Sequence, residues 1–274
     1  MKKHNIIAMA LTSLMALPVI AQDSTPAVGD ILQGINMFTP EEGDPAYKVK
    51  ANEKYGTQWG VDMAYGLWNT EKVSDVKRHN NLALLHAQLN QRLIEDKANG
   101  GTWLRVEFSG SWGLDRESAQ SDTFFTEAYA TASGLHADAM GPHEGIFPEV
   151  ALMQYFAGKR ACLIAGMVNL TNYFDAVSIA NDSFSSFTND GFVNSTILPL
   201  VDSNIGGILQ VELNRNNYMM VAVSRTGCDS GYNPFNSDYC DGYAVVGEYG
   251  HIFADGAATL PVSYTHLRAH ETKA

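Results

Sequence analysis

A chain of 274 residues with a formal net charge of -12 has no basic surface with which to neutralise phosphates, which argues against nucleic acid as a partner. Hydrophobic residues make up 45%, low for a helical membrane protein, and charged residues only 18%. With 24 glycines, that profile suits an all-β protein with many turns.

The chain opens with Lys2, Lys3 and His4, then an apolar run from Ile6 to Ile20, then the small-residue step Val19-Ile20-Ala21 before the polar Gln22-Asp23. That is the layout of a secretory signal peptide, residues 1–21. The run is shorter than the roughly 20 residues a spanning helix needs. No later stretch is long and apolar enough to span as a helix, so the mature chain is expected to be soluble, surface-attached or a β-barrel. Residues 22–54 hold Pro26, Pro40 and Pro45 and show no clear period, and are read as a loosely ordered N-terminal segment.

From residue 57 the period becomes two. In TQWGVDMAYGLW, Trp59, Val61, Met63, Tyr65 and Leu67 share one face. Trp59 and Tyr65 stand roughly 20 Å apart along a strand, which suits aromatic girdles at both edges of an apolar band. NLALLHAQLNQRL alternates too; it could also form an amphipathic helix, but Asn99-Gly100-Gly101 marks a hairpin and favours a strand. In TWLRVEFSGSWGL, Leu104, Val106, Phe108, Trp112 and Leu114 oppose Arg105, Glu107, Ser109 and Ser111. That strand is longer than usual in a soluble sheet. Residues 123–134 are ambiguous between strand and helix. PEVALMQYF, residues 148–156, leads through Gly158-Lys159 into the next strand.

Residues 161–194 read ACLIAGMVNLTNYFDAVSIANDSFSSFTNDGFVN. The first eight alternate with both faces apolar, and the rest is a loop of Asn, Asp and Ser, residues that bond their own backbone in turns. Its rings, Tyr173, Phe174, Phe184, Phe187 and Phe192, need a surface to pack on, most simply the inside of a wide fold. LTNYFD followed by IANDSFSSFTNDGFVN resembles the central signature of the carbohydrate-selective porin (OprB) family of bacterial outer membranes. The residues that carry the resemblance are Gly166, Asn169, Thr171, Asn172, Tyr173, Phe174, Asp175, Asn181, Asp182, Phe187, Asn189, Phe192, Val193 and Asn194.

After that loop, ILQVEL, a turn at residues 214–217, YMMVAVS and Tyr243 to Ile252 continue the hairpin order, giving about nine candidate strands. Cys228 and Cys240 flank a Gly/Asn/Asp/Pro-rich loop. A disulfide between them would close about 13 residues and stabilise by roughly 3 kcal/mol, the alternative being two free thiols. Cys162, inside an apolar strand, reads as a small hydrophobe. The tail VSYTHLRAHETKA, residues 262–274, shows no sheet period and looks like the translation of a transposase adapter; it is set aside as an artefact.

No P-loop, G-x-S-x-G, H-E-x-x-H or zinc-spaced Cys pair is present, so no enzyme, cofactor or metal is expected. His136 and His143 near Asp138 and Glu144 could meet a metal but sit in a Gly/Pro-containing loop. Asp175, Asp182 and Asp190 could serve a glycosidase, and equally could be turn residues.

The resemblance implies an antiparallel outer-membrane β-barrel, in the family a closed tube of about sixteen strands. Residues 55–261 would supply about half of it, an incomplete barrel that should not insert or conduct by itself. It implies passive diffusion of mono- and oligosaccharides across the outer membrane of a Gram-negative bacterium, with outer-membrane lipid and a homotrimer as further partners. The polar faces would then line water, placing Arg92, Arg105, Glu107 and Gln154 on the pore wall, with Asn172, Tyr173, Asp175, Asn181 and Asp182 at a constriction. A secreted, soluble β-rich carbohydrate-binding protein gives the same alternation and is the second reading.

Overall fold

The computed structural model describes residues 44–69, 79–114, 143–174, 200, 203–226, 242–252 and 259–269. These form an all-β architecture. A helix, α1 (Ala46–Tyr55), precedes nine strands: β1 (Thr57–Asn69), β2 (His79–Ile94), β3 (Thr102–Gly113), β4 (His143–Phe156), β5 (Ala161–Val168), β6 (Asn204–Asn214), β7 (Asn217–Thr226), β8 (Gly242–Ile252) and β9 (Thr259–Ala269). They pair in sequence order in one antiparallel sheet, so every connection is between neighbours. Among the described residues the sheet is open, with β1 and β9 at its edges.

Connection lengths alternate between the two ends of the sheet. At one end the strands are joined through residues 95–101, 157–160, 215–216 and 253–258. At the other they are joined through residues 70–78, 114–142, 169–203 and 227–241. The short end is built from turn chemistry: Gly100 and Gly101 have φ of 97° and 80°, and Asn214 Oδ1 accepts from the Asn216 N–H at 3.0 Å.

The period-two pattern sorts the sheet into two unlike faces. Val61, Met63, Tyr65 and Leu67 of β1 are exposed, as are Leu152 of β4, Leu163 of β5, Leu209 of β6, Val221 and Val223 of β7, and Val245 of β8. Register runs one row of that face through Leu104, Leu152, Ala165, Gly207, Val223 and Val245. On the opposite face the side chains are buried. Met153, Ile164, Ile208, Ala222 and Val246 form an apolar cluster, on which Leu170, Tyr173 and Phe174 pack at 0% exposure. Each buried large side chain there contributes about 1.5–3 kcal/mol. This is why β5 is apolar on both sides: Leu163 and Ala165 point outward, while Cys162 and Ile164 lie under the aromatic segment that follows.

Two elements lie where the sequence pattern marks none. The segment 22–54 is not loosely ordered throughout, because α1 occupies its end; the helix buries none of its residues, so it has no apolar stripe for a periodicity reading to find. The sheet does not stop at Pro261 either. β9 pairs with β8 from Thr259↔Ile252 to Ala269↔Gly242, into the tail set aside above. Ladder hydrogen bonds are made by backbone and need no side-chain alternation.

Candidate functional site

The inner face carries one dense polar cluster, built by β2, β3, β4 and the turn that leaves β5. Gly60, Gln88, Glu107 and Glu149 are register partners in one row across β1 to β4. Asn90 and Arg105 are partners in the next row. Glu149 reaches this row because of a break in β4: the pairing with β3 slips between Glu107 and Ser109, next to Pro148. Proline cannot donate to a ladder, and a bulge re-aims the side chain beside it. Ile146 and Glu149 consequently both face inward while Phe147 faces out, its ring edge-on to Phe108 at 5.4 Å.

At the end of β5 the chain turns across this face. Asn169 caps a single 3-10 turn, Leu170–Asn172, by accepting from the Thr171 N–H and hydroxyl at 3.2 and 2.7 Å. That turn aims Asn172 and Tyr173 at the sheet. Asn172 Nδ2 donates to Glu107 Oε2 at 2.8 Å and to Glu149 Oε2 at 3.2 Å. The Tyr173 hydroxyl donates to Glu149 Oε1. Arg105 lies between the two carboxyl groups, Nη2 at 3.6 Å from Glu107 and Nε at 3.4 Å from Glu149, with its guanidinium 5.7 Å from the Tyr173 ring centroid. Gln88 donates to Glu107 Oε1 at 2.7 Å, and His86 Nε2 lies 3.3 Å from the same oxygen.

Arg105 and Glu107 are two of the residues expected on a pore wall. Arg105 and Glu107 are 1% and 2% exposed, so they lie beneath the 169–174 segment and hold it, rather than facing open water. Gln154 is expected there too. It stands on the opposite, outward face of β4, where Thr102 donates to it at 2.6 Å and its own amide donates to the Tyr155 carbonyl at 2.8 Å. Arg92 is on the inner side but near the short end, its guanidinium 5.9 Å from the Trp103 ring centroid and 4.0 Å from Glu95. Of the residues expected at a constriction, Asn172 bonds Glu107 and Glu149, and Tyr173 bonds Glu149. Asp175, Asn181 and Asp182, the Cys228–Cys240 pair, and His136 with Asp138 all lie outside the described residues.

Three members of the cluster were not singled out from sequence. Glu149 sits in an otherwise apolar stretch, PEVALMQYF, and the bulge hides its facing. His86 and Gln88 were visible on the polar side of their strand, but nothing local ties them to Glu107. Among the described residues no three His, Cys, Asp or Glu side chains are placed to share a metal ion, and no helix is long and apolar enough to cross a membrane. The latter says nothing of strands.

No family model and no solved structure matches the chain. A stretch of 68 residues, 24% of this chain, is 37% identical to an uncharacterized protein of Aquifex aeolicus (strain VF5). That stretch covers 22% of the Aquifex protein's length.

Proposed function

We propose that this chain is wall and constriction of an outer-membrane β-barrel through which carbohydrates diffuse passively. The observation that carries the reading is the outward face. Val61, Met63, Tyr65, Leu152, Leu163, Val221, Val223 and Val245 are each at least 40% exposed on one side of a sheet whose other side is buried. A soluble sheet places its apolar face on a core and its polar face in water; here the open face is the apolar one, which suits hydrocarbon. The alternation of short and long connections fits the same reading, since bacterial barrels have short periplasmic turns and longer outer loops.

In this reading Arg105, Glu107 and Glu149 are the clamp on which the inward segment rests, and the segment narrows the passage. The preference for sugars rests on the resemblance of residues 161–194 to the carbohydrate-selective porins. The test is Val223→Arg, made in β7 with its side chain outward. In a closed barrel that carries this sheet, folded from urea into phosphatidylcholine vesicles, the variant should lose roughly 2–4 kcal/mol if the position meets the bilayer interior. No loss of stability, or a closed barrel that stays in buffer without vesicles, would overturn the reading. Vesicles carrying this sheet closed into a barrel by further strands should then swell in isotonic monosaccharide faster than in an equally sized amino-acid zwitterion.

A further inference from the structure

α1 is a basic helix on an acidic protein. Its ten residues, AYKVKANEKY, hold Lys48, Lys50 and Lys54 against Glu53 alone, while the whole chain has 18 Lys and Arg against 30 Asp and Glu. It buries none of its residues, and a ten-residue helix is marginal in water without tertiary support. What support there is comes from its ends. Gly56 closes the helix in the left-handed conformation, φ 63°, donating to the Asn52 carbonyl at 2.9 Å. Tyr47 stacks on Trp59 with ring centroids 6.1 Å apart and planes 23° apart, and Lys48 Nζ sits 5.0 Å from the same ring. Asn52 accepts from Gln58 at 3.2 Å.

The helix also carries an exposed stripe, which begins at the Tyr47 ring that packs on Trp59. Tyr47, Lys50, Lys54 and Tyr55 fall at i, i+3, i+7 and i+8, one stripe of an α-helix. All four are exposed, Tyr47 at 61% and Tyr55 at 59%. Trp59 shares the register row of Leu89, Val106 and Val150, the outward apolar face. The stripe is therefore continuous with that face at the short-connection end of the sheet. Two aromatic side chains with polar tips, flanking two lysines, at the rim of an apolar band, match the chemistry of a headgroup layer.

We propose that α1 is an interfacial foot that docks on anionic phospholipid headgroups, with Lys50 and Lys54 meeting the phosphates and Tyr47 and Tyr55 lying at headgroup depth. This deepens the barrel reading and rests on it for the orientation of β1. The chain's overall negative charge does not oppose it, because charges beyond a Debye length of about 8–10 Å are screened at ordinary salt and Lys50 and Lys54 stand closest to the layer. Lys48 contributes less, since it is already held 3.8 Å from Asp44 and over Trp59.

The test compares the full chain and Lys50→Gln/Lys54→Gln, a change that leaves helix propensity nearly unaltered. Each is folded from urea into vesicles of phosphatidylcholine, or of phosphatidylcholine with about a quarter phosphatidylglycerol. Phosphatidylglycerol should raise wild-type partition by about fivefold per lysine, about 25-fold for the pair, at low salt. The double variant should lose that increment, and amide exchange across residues 46–55 should slow for the wild type in the anionic vesicles alone. An increment that survives in the variant, or exchange at 46–55 that is the same in both vesicles, overturns the proposal. Partition into pure phosphatidylcholine reports on the strands separately. A chain that enters neutral vesicles without a lysine-dependent increment sinks the foot and leaves the barrel. A lysine-dependent increment without neutral partition supports the foot and leaves the open sheet outside the bilayer.

Discussion

Asn172 donates its amide to Glu107 at 2.8 Å across 65 positions of chain, and this bond ties the segment leaving β5 to the middle of β3. With the Tyr173 hydroxyl on Glu149, it makes two adjacent residues the fastening of that segment. Tyr173→Phe keeps the ring, which is fully buried among Leu170 and Phe174, and removes only the donor. A buried carboxyl group that loses a partner costs about 1–3 kcal/mol. Urea unfolding should show that loss, and amide exchange of residues 169–174 should quicken. Asn172→Ala should act in the same direction. Unchanged exchange in both variants would mean that the apolar packing of Leu170 and Phe174 alone holds the segment.

Arg105 is the cation between two acidic side chains, and all three are almost wholly buried. Removing one member of a buried charged group leaves the others uncompensated, at roughly 3–5 kcal/mol. Arg105→Met should cost that much in urea unfolding, and Arg105→Met/Glu149→Gln should recover a good part of it, because the second change removes the stranded charge. Arg105→Lys should rescue poorly: an ammonium cannot present Nε and Nη2 to two carboxyl groups at once. Additive losses in the double variant would argue that the three side chains are not coupled.

How far this arrangement was legible differs by element. The facing of β1 and β3 follows from strict alternation, so Val61 and Met63 point out and Arg105 and Glu107 point in, as their spacing says. What spacing cannot give is the cover. Whether an inward Glu107 meets water or protein depends on a turn 65 positions later, a tertiary fact with no local trace. Glu149 was missed for a different reason: the bulge at Pro148 shifts its strand's phase by one residue. The polarity of Gln154 suggests an inward facing, whereas its amide accepts from Thr102 and donates to the backbone on the outward face near the hairpin end. α1 was invisible to a periodicity reading because nothing in it is buried.

The turn between β2 and β3 gives a pH dependence. Asp96 accepts from the N–H of Ala98 at 3.0 Å, the N–H of Asn99 at 3.1 Å and the side-chain amide of Asn99 at 2.8 Å. The Asn99 side chain and N–H lead in holding its carboxyl group below the ordinary carboxylate range. A lowered folded-state pKa means the turn is favoured while the carboxylate is charged, above its unfolded value, and that the contribution is lost as pH falls through the folded one. Because the group lies at the surface, the effect should be local. Side-chain NMR of Asp96 should titrate below a model peptide. Asp96→Ala should loosen the turn and release Asn99, whose Oδ1 accepts from the Gly158 N–H of the neighbouring short turn at 3.0 Å. A titration at the peptide value would remove the turn's pH dependence.

Gly166 offers the sharpest backbone test. It lies in the middle of β5, between Ala151 of β4 and Gly206 of β6, with φ of 148°, a conformation side chains rarely adopt. A Cβ there would land against the Val150 carbonyl oxygen and 2.9 Å from Ala151 Cα, both backbone atoms that cannot swing aside. β5 delivers Asn169, Asn172 and Tyr173 to the cluster, so strain at Gly166 is transmitted to the fastening of the segment. Gly166→Ala should therefore destabilise by about 1–3 kcal/mol in urea unfolding and also speed amide exchange at residues 169–174. Gly247 provides the control: it is likewise within a central strand, but a Cβ there meets nothing within 4 Å. Gly247→Ala should be near neutral, and an equal loss at both positions would mean that loss of glycine freedom, not the close approach of β4, sets the cost.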